Sequence, residues 1–129
     1  QNIISTKSYT LNYVKAETFE KAHQTSARYD KHISEFEQVG FEEAYLPSCT
    51  APIVKEAVAS IAMQLEEIIP IKINGTVLIV GSVQQIHIDE QRIGKDGFVS
   101  LSEEQVLVSQ GLDAYFITSP IGRLAYAKP

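Results

Sequence analysis

The 129-residue sequence has no tryptophan, one methionine and one cysteine, Cys49. A single cysteine cannot form an internal disulfide and provides no set of thiolates for a zinc or iron site. No apolar run approaches the roughly 20 residues of a membrane-spanning helix, and the first residues show neither a basic segment nor the apolar core of a signal peptide. We therefore expect a soluble, cytoplasmic protein with no membrane partner.

Basic residues are also few, with 11 Lys and Arg against 16 Asp and Glu, for a formal net charge of −5. Because nucleic-acid binding depends on clustered Lys and Arg side chains that neutralise phosphates, this balance argues against a nucleic-acid partner. Hydrophobic residues make up 44% of the chain, which is typical of globular proteins, and the length corresponds to a single domain spanning residues 1–129.

Familiar catalytic motifs are missing as well. The glycines are too far apart for a P-loop or a dinucleotide fingerprint, and the Gly-x-Ser-x-Gly motif of serine hydrolases does not occur. The three histidines, His23, His32 and His87, lack the spacing with carboxylates that metal sites show. Cys49 has no cysteine-hydrolase signature around it and is interpreted as a small buried hydrophobe. The residues alone therefore predict no catalytic residue and no metal.

Hydrophobic periodicity predicts a mixture of strands and short helices. Alternation predicts a strand over residues 8–14, and helical spacing predicts short helices over residues 16–27 and 30–39. Asp30 is the predicted N-cap of the second helix, and Gly40 is its predicted left-handed C-cap. Residues 41–52 contain two prolines and are expected to be irregular and extended. The pattern over residues 58–69 fits a helix or a strand, and local sequence leaves both open.

The second half of the chain begins with the clearest strand. Residues 76–88 are rich in Val, Ile and Thr and follow Asn74-Gly75, a pair suited to a hairpin turn. The apolar positions change phase partway, which predicts a bulge near Gln84-Gln85 and the bending of a barrel wall. Ser102 and the acids after it indicate a helix start, and residues 111–129 are expected to pack on a surface.

Four stretches then carry a resemblance to a known family, the flavin reductase-like, FMN-binding split-barrel proteins. The chain resembles the C-terminal half to two-thirds of that family. The stretches are Asn2-Ile3 with the strand at residues 9–14, His23-Gln24-Thr25-Ser26-Ala27 leading to Ser34-Glu35-Phe36-Glu37, residues 76–83 ending in His87-Ile88-Asp89, and Gly122-Arg123-Leu124-Ala125-Tyr126.

The resemblance implies a mainly β fold with short helices, a Greek-key split β-barrel, and a strand over residues 58–69. The family's first barrel strands and flavin-contacting loops would lie upstream of this chain, so we expect the barrel to be incomplete at the N-terminus. Unpaired sheet edges would then favour dimerisation or swapping.

The resemblance also implies a function, namely FMN binding at the interface of a homodimer and reduction of flavin by NADH or NADPH. Two alternatives stay open: a non-catalytic FMN-binding electron-transfer protein of flavoredoxin type, and a degenerate split-barrel dimerisation module without flavin. The resemblance also implies site residues. Asn2 would approach the flavin phosphate, and Thr25, Ser26 and Ala27 would lie on the loop beside the flavin or nicotinamide. Arg123 and Tyr126 would line the cofactor edge or the dimer contact.

Overall fold

The computed structural model describes residues 2–47 and 49–128, which form a mainly β fold with short helices. This confirms the expected fold class. Short 3₁₀ turns occupy Ala16–Thr18 and Glu90–Arg92. The regular elements are α1 (Asn2–Thr6), β1 (Ser8–Tyr13), α2 (Phe19–Gln24), α3 (Glu35–Val39), β2 (Glu43–Ala44), β3 (Ile53–Val54), β4 (Ala59–Ile71), β5 (Thr76–Ile88), β6 (Val108–Gln110) and β7 (Ala114–Phe116). None of these helices has the length and hydrophobicity that a bilayer span requires.

The helices are shorter than the sequence predicts. The first predicted helix begins as a 3₁₀ turn and continues as α2. The second is reduced to α3, and Ser34 rather than Asp30 stands at its N-cap position. Asp30 instead uses its carbonyl to accept a hydrogen bond from the backbone N–H of Ile33 in a preceding turn. Gly40 ends α3 in the left-handed conformation, with φ 72°, as predicted.

The ambiguous segment is a strand. β4 lies at the centre of a three-stranded antiparallel sheet, between β1 and β5. Its register pairs Tyr13 with Ala59 on the β1 side and Ser60 with His87 on the β5 side. The strand continues through Pro70 to Ile71, two residues beyond the segment considered in the sequence. Tertiary pairing on both sides therefore decides what the helix-compatible local sequence leaves open.

The predicted bulge in β5 is present. Gln85 pairs with Ala62 and Val83 with Met63, so Gln84 is the extra residue. A second shift opposite Gly81 makes Glu66 the extra residue of β4. Because the bulge at Gln84 reverses the alternation of β5, the apolar residues of this strand on either side of Gln84 share one face of the sheet. These residues are Val77, Ile79, Val83, Ile86 and Ile88.

The opposite face of the sheet carries the two buried clusters. Ser60 and Ala62 of β4 are each 1% exposed beneath the insertion that joins β1 to β4. One cluster packs Leu46, Cys49 and Ile53 on Ala62, and a second consists of Val39, Phe41 and Val54. Cys49 is thus the buried hydrophobe that the sequence predicts.

Asn12 links three strands beneath this insertion. Its Oδ1 accepts hydrogen bonds from the backbone N–H of Val54 at 3.1 Å and the hydroxyl of Ser60 at 2.8 Å. Its amide group donates to Thr10, whose hydroxyl donates to the Pro52 carbonyl at 2.6 Å. β1, β3 and β4 are therefore held in one polar network.

Two expectations for the C-terminal part are wrong. Residues 101–105 form turns rather than a helix, and Gln105 has φ 50°, which a right-handed helix cannot contain. β6 and β7 then form a hairpin, and residues 117–128 extend from it with exposed side chains instead of packing on a surface. Among the described residues the strands do not close a barrel; they form one three-stranded and two two-stranded sheets.

Candidate functional site

A cleft of about 590 Å³ opens beside the N-terminus of α1, and we call it the α1 cleft. Asn2 starts the helix, and the carbonyl of Asn2 accepts hydrogen bonds from the hydroxyls of Ser5 and Thr6 at 2.9 and 3.0 Å. These bonds hold the first turn at the edge of the cleft. The lining residues are Asn2, Ile3, Tyr29, Asp30, Lys31, Ile33, Ser34, Glu35, Phe36, Glu43 and Pro52.

The charge in the α1 cleft is mixed. Lys31 is the cation of its lining, and it shares the cleft with Asp30, Glu35 and Glu43. A dianionic phosphate would need Lys31 and neutral donors to outweigh those three carboxylates. The cleft is therefore suited to a ligand whose anionic end lies near Lys31 and whose remaining surface is neutral.

A smaller cavity of about 230 Å³ adjoins the α1 cleft and contains Thr25, so we call it the Thr25 cavity. The two share Glu35 and Phe36, which makes the start of α3 the wall between them. The remaining lining is largely apolar, with Val14, Ala22, Phe41 and Val54 beside Asn12.

The loop residues expected beside the flavin cap the end of α2. The hydroxyl of Thr25 donates to the Ala22 carbonyl at 2.7 Å, and that of Ser26 donates to the His23 carbonyl at 2.7 Å. The backbone N–H of Ala27 donates to the Gln24 carbonyl at 3.1 Å. Both hydroxyl protons are used locally in this conformation, so a ligand would meet Thr25 and Ser26 as hydrogen-bond acceptors.

His23 is a packing residue that joins α2 to the C-terminal hairpin. Its Nδ1 lies 2.9 Å from the hydroxyl of Tyr115, and the two rings meet edge to face with centroids 5.7 Å apart. Phe19 packs on the same tyrosine ring at 6.1 Å. Among residues 2–47 and 49–128, no group of three His, Cys, Asp or Glu side chains is placed to hold a metal ion.

Arg123 lies in a different place from the α1 cleft. Its guanidinium donates to Asp96 at 2.7 Å and lies 4.0 Å from the centroid of the Phe98 ring, at the edge of a separate pocket of about 400 Å³. The hydrogen bond from Arg123 lowers the pKa of the Asp96 carboxyl. Tyr126, three residues farther on, is 89% exposed. The structure thus brings Asn2 and Thr25 to adjoining cavities, whereas Arg123 and Tyr126 lie outside both.

Sequence reasoning missed the residues between the two helices, above all Tyr29 and Lys31. The phenol of Tyr29 accepts a hydrogen bond from the Gln24 side chain at 2.9 Å, which ties this segment to α2. The sequence does offer one signal, because Lys31 lies on the loop between residues 23–27 and residues 34–37 of one stretch that carries the resemblance, and binding residues concentrate on loops.

The α1 cleft fits a flavin nucleotide in size and in the kinds of donor it offers. Its volume of about 590 Å³ falls within the range of small-molecule and cofactor pockets. The Asn2 amide, the Lys31 ammonium and the Tyr29 hydroxyl can donate to a phosphate or a ring carbonyl, and Phe36 and Ile33 supply apolar surface.

Comparison with known proteins gives one near match and several distant ones. A split-barrel protein of Shewanella frigidimarina NCIMB 400, classed as a flavin reductase, is 40% identical with a TM-score of 0.92, over 98% of this chain and 64% of that one. Flavoredoxin of Desulfovibrio vulgaris (Miyazaki F) is 16% identical with a TM-score of 0.82, over 96% of this chain and 66% of its own. An FMN-binding protein of Thermus thermophilus, solved with 1-cyclohex-2-enone bound, is 14% identical with a TM-score of 0.76, over 95% and 65%.

The two distant matches show a shared fold. This chain spans about two-thirds of the length of each of these solved proteins. The family model of the flavin reductase-like domain matches residues 1–104, which is most of the sequence. The chain therefore belongs to the flavin reductase-like domain family.

Proposed function

We propose that this chain is the flavin-binding part of an NAD(P)H-dependent flavin reductase that uses FMN and acts as a cytoplasmic homodimer. The observation that carries the proposal is the 40% identity, over nearly the whole chain, to a split-barrel protein classed as a flavin reductase. A structural neighbour that binds FMN supports the choice of flavin. NADH or NADPH would be the hydride donor, as family resemblance implies.

Asn2 and Lys31 would hold the anionic end of FMN in the α1 cleft. Thr25 lines the neighbouring cavity, whereas Ser26 and Ala27 follow it on the loop after α2 and line neither cavity; the three would border the flavin or the nicotinamide. Phe36 stands between the two cavities and would limit the position of a flat ring. Arg123 and Tyr126 would line the cofactor edge or the dimer contact.

When bound, FMN supplies the capacity to accept a hydride and pass electrons on, so the protein has to provide binding and orientation. Lys31 would balance phosphate charge, and the Asn2 amide would orient the ligand by donating a hydrogen bond. Apolar side chains at the start of α3 would exclude water from one face of the ring. No side-chain nucleophile is needed for this chemistry.

The chain exposes more surface than a compact monomer would, part of which a homodimer would cover. A compact monomer of 14.3 kDa exposes about 6,800 Å² by the usual scaling with mass, whereas this chain exposes 10,082 Å². The excess is of the order that large, permanent interfaces bury. The chain therefore has more surface to cover than a compact monomer of its mass.

A flavoredoxin-type electron carrier is the second candidate. The observation that favours it is the TM-score of 0.82 to flavoredoxin. Such a protein would retain FMN tightly and oxidise NAD(P)H slowly. The dimerisation module without flavin is the third candidate, supported by the three carboxylates that line the α1 cleft.

The test is a titration of the folded chain with FMN, followed by its visible absorption band, and then addition of NADH and NADPH. A saturable shift with rapid NAD(P)H oxidation supports the reductase. A saturable shift with slow oxidation supports the electron carrier, and no shift by a chain that circular dichroism shows to be folded supports the module.

Paired lysine variants test the location of the site. Lys31→Met should weaken FMN binding about tenfold, because it removes the cation of the cleft. Lys72→Met, in the exposed turn between β4 and β5, should leave it unchanged. Equal FMN affinity in the two variants would show that the FMN phosphate does not lie near Lys31.

A further inference from the structure

The turn between β4 and β5 contains the pair Asn74-Gly75 in an open position. In such a pair the backbone nitrogen of the glycine can attack the side-chain carbonyl carbon of the asparagine, because glycine has no side chain that shields its nitrogen. Residues 72–75 of the turn are all exposed. Gly75 has φ 69°, and among the described residues no heavy atom beyond its chain neighbours lies within 4 Å of the position that a Cβ would take. The turn therefore leaves room for this attack.

The side-chain carbonyl of Asn74 is oriented and polarised by Thr76. Its Oδ1 accepts hydrogen bonds from the backbone N–H of Thr76 at 3.1 Å and from the Thr76 hydroxyl at 2.7 Å. Attack on the carbonyl carbon places negative charge on this oxygen, and donors that already point at it stabilise such charge. Thr76 therefore favours the attack.

One backbone hydrogen bond restrains the attacking nitrogen. The backbone N–H of Gly75 donates to the Ile71 carbonyl at 3.0 Å, and this bond has to open before the nitrogen can turn towards the Asn74 side chain. Hydrogen bonds of exposed turns open at a smaller free-energy cost than those of core strands. The bond therefore slows the reaction without preventing it.

The other two asparagines lie in settings that disfavour the same reaction. Asn12 is followed by Tyr13, and its Oδ1 accepts two hydrogen bonds within the polar network beneath the insertion. Asn2 is followed by Ile3, whose branched side chain crowds the backbone nitrogen. Among the three asparagines, Asn74 is thus the one whose surroundings favour attack.

Asp96-Gly97 is a second pair with the connectivity for this ring closure, and its environment opposes it. The Asp96 carboxylate accepts hydrogen bonds from Arg123 at 2.7 Å and from the backbone N–H of Phe98 at 3.2 Å. Both lower the pKa of the carboxyl, the bond from Arg123 most. Ring closure on a carboxyl releases water and needs the protonated acid, so Arg123 protects this position.

We propose that Asn74 is a site of spontaneous deamidation, in which the Gly75 nitrogen closes a succinimide ring on the Asn74 side chain. The bond from the Gly75 nitrogen to the Asn74 Cγ forms and the bond from Cγ to Nδ2 breaks. Nδ2 leaves as ammonia, taking up the proton of the Gly75 N–H. Water then opens the ring: cleavage at the side-chain carbonyl gives aspartate, and cleavage at the main-chain carbonyl gives isoaspartate.

Both products change the turn. Each adds one negative charge, which takes the formal net charge from −5 to −6. Isoaspartate also lengthens the backbone by a methylene group between Ile71 and Thr76, the residues that pair where β4 and β5 meet the turn, so it should loosen this end of the hairpin. The reaction does not depend on flavin, and its outcome is separate from that of the FMN titration.

The test is ageing of the folded chain in mildly alkaline buffer, followed by trypsin digestion and mass spectrometry. Trypsin places Asn74 and Asn12 in separate peptides, residues 73–92 and 8–15. The converted fraction of Asn74, detected as the exchange of an amide group for a hydroxyl, should grow at least about tenfold faster than that of Asn12, whose oxygen must first leave two hydrogen bonds. Asp96 should yield no isoaspartate over the same period.

A pair of threonine variants tests the part assigned to Thr76. Thr76→Val removes the hydroxyl that donates to Asn74 Oδ1 and should slow the conversion about threefold, the effect of one hydrogen bond in an exposed turn. Thr118→Val is the matched control, because Thr118 is exposed and lies far along the chain from the turn. It should leave the rate at Asn74 unchanged.

Each outcome decides part of the proposal. Conversion at Asn74 that outpaces Asn12 and is slowed by Thr76→Val supports it in full. Conversion at Asn74 no faster than at Asn12 overturns the site. Fast conversion that Thr76→Val leaves unchanged or accelerates supports the site and overturns the role of Thr76, and isoaspartate forming as fast at Asp96 as at Asn74 overturns the protection by Arg123.

Discussion

The two faces of the β1–β4–β5 sheet carry similar apolar residues but differ at β5, whose apolar side chains lie largely in water although Met63 and Leu65 of β4 on the same face are buried. On the covered face, Ala62 is 1% exposed beneath Leu46, Cys49 and Ile53. On what we call the open face, Val77, Val83 and Ile86 are 54%, 56% and 61% exposed. Their alternation and β-branching are those of buried strand residues. Composition thus marks a side chain as suited to burial, and only the tertiary structure shows whether something covers it.

The two faces also differ in their relation to the candidate site. The covered face fixes the insertion that carries α2, α3 and the α1 cleft, so its packing positions the candidate site. An apolar sheet face of this extent is, in contrast, a surface for further protein to cover.

The largest expected effect is a comparison of two isoleucine truncations. Ile53→Ala on the covered side should lower the free energy of unfolding by about 2–5 kcal/mol, because it leaves a cavity among Leu46, Cys49 and Ala62. Ile86→Ala should lower it by less than about 1 kcal/mol, because that side chain is already largely in water. Urea unfolding followed by circular dichroism gives both values. Equal losses would mean that the open face is covered in solution.

Gly81 lies on the open face, but a larger side chain there should destabilise the fold as it would in the core. A Cβ there would lie 2.3 Å from the Tyr9 hydroxyl oxygen and 2.8 Å from the Gln64 carbonyl oxygen. Gly81→Ala should therefore cost about 1–3 kcal/mol of stability, as overpacking does.

In the Gly81→Ala variant, removal of the phenol oxygen by Tyr9→Phe should recover part of the lost stability. Recovery should be incomplete, because the Gln64 carbonyl oxygen belongs to the backbone and stays in place. The double variant is compared with the two single variants in the same urea experiment. Full additivity of the two changes would show that Tyr9 does not cover Gly81.

Asn12 tests the polar component of the covered face. Asn12→Ala leaves the Val54 N–H and the buried Ser60 hydroxyl without the oxygen they donate to, so a loss of about 1–3 kcal/mol is expected. Asn74→Ala is the control, because the Asn74 side chain accepts from Thr76 in an exposed turn. The midpoint of thermal unfolding should fall clearly for Asn12→Ala and little for Asn74→Ala. The reverse order would show that Asn12 does not hold the network together.

The sequence predicts much of the fold where a local pattern has one interpretation. The bounds of β5, its bulge near Gln84 and the cap at Gly40 follow from β-branching, a phase change and a glycine after a helical stretch. The strand at residues 58–69 comes from family resemblance, because its helical spacing and strand alternation are equally good locally. Ser102 fails as a helix start because a hydroxyl and two acids can also begin a turn.

The site is less predictable than the fold. Asn2 and Thr25 lie at adjoining cavities, but Lys31 enters the α1 cleft only because the segment between α2 and α3 folds back to it. Arg123 shows the opposite problem: its contact with Asp96 joins residues 27 positions apart, which no local pattern indicates. Whether the carried-over residues touch flavin stays a prediction, which FMN titrations of variants at those residues would test.

The smallest expected effects concern ion pairs, which extend the comparison from apolar to charged groups. Arg92 and Glu104 form a pair at 2.6 Å whose side chains are 26% and 24% exposed, whereas Lys55 and Glu42 pair in open solvent with side chains 62% and 65% exposed. Arg92→Gln should lower stability by about 1 kcal/mol, because Glu104 then remains partly buried without its partner. Lys55→Gln should have no measurable effect at neutral pH, since water screens the pair.

A pH series tests whether Lys55 contributes to stability through its charge. The hydrogen bond from Lys55 lowers the pKa of Glu42 below its usual value, so any stability from this pair is present above the pKa of Glu42 in the unfolded chain. It is lost as the pH falls through the lower pKa of the folded state. The unfolding midpoints of the wild type and Lys55→Gln should therefore agree within the error of the measurement, both near neutral pH and in acid. A clear difference that persists below both pKa values would show that Lys55 stabilises the fold through packing of its aliphatic chain and not through its charge.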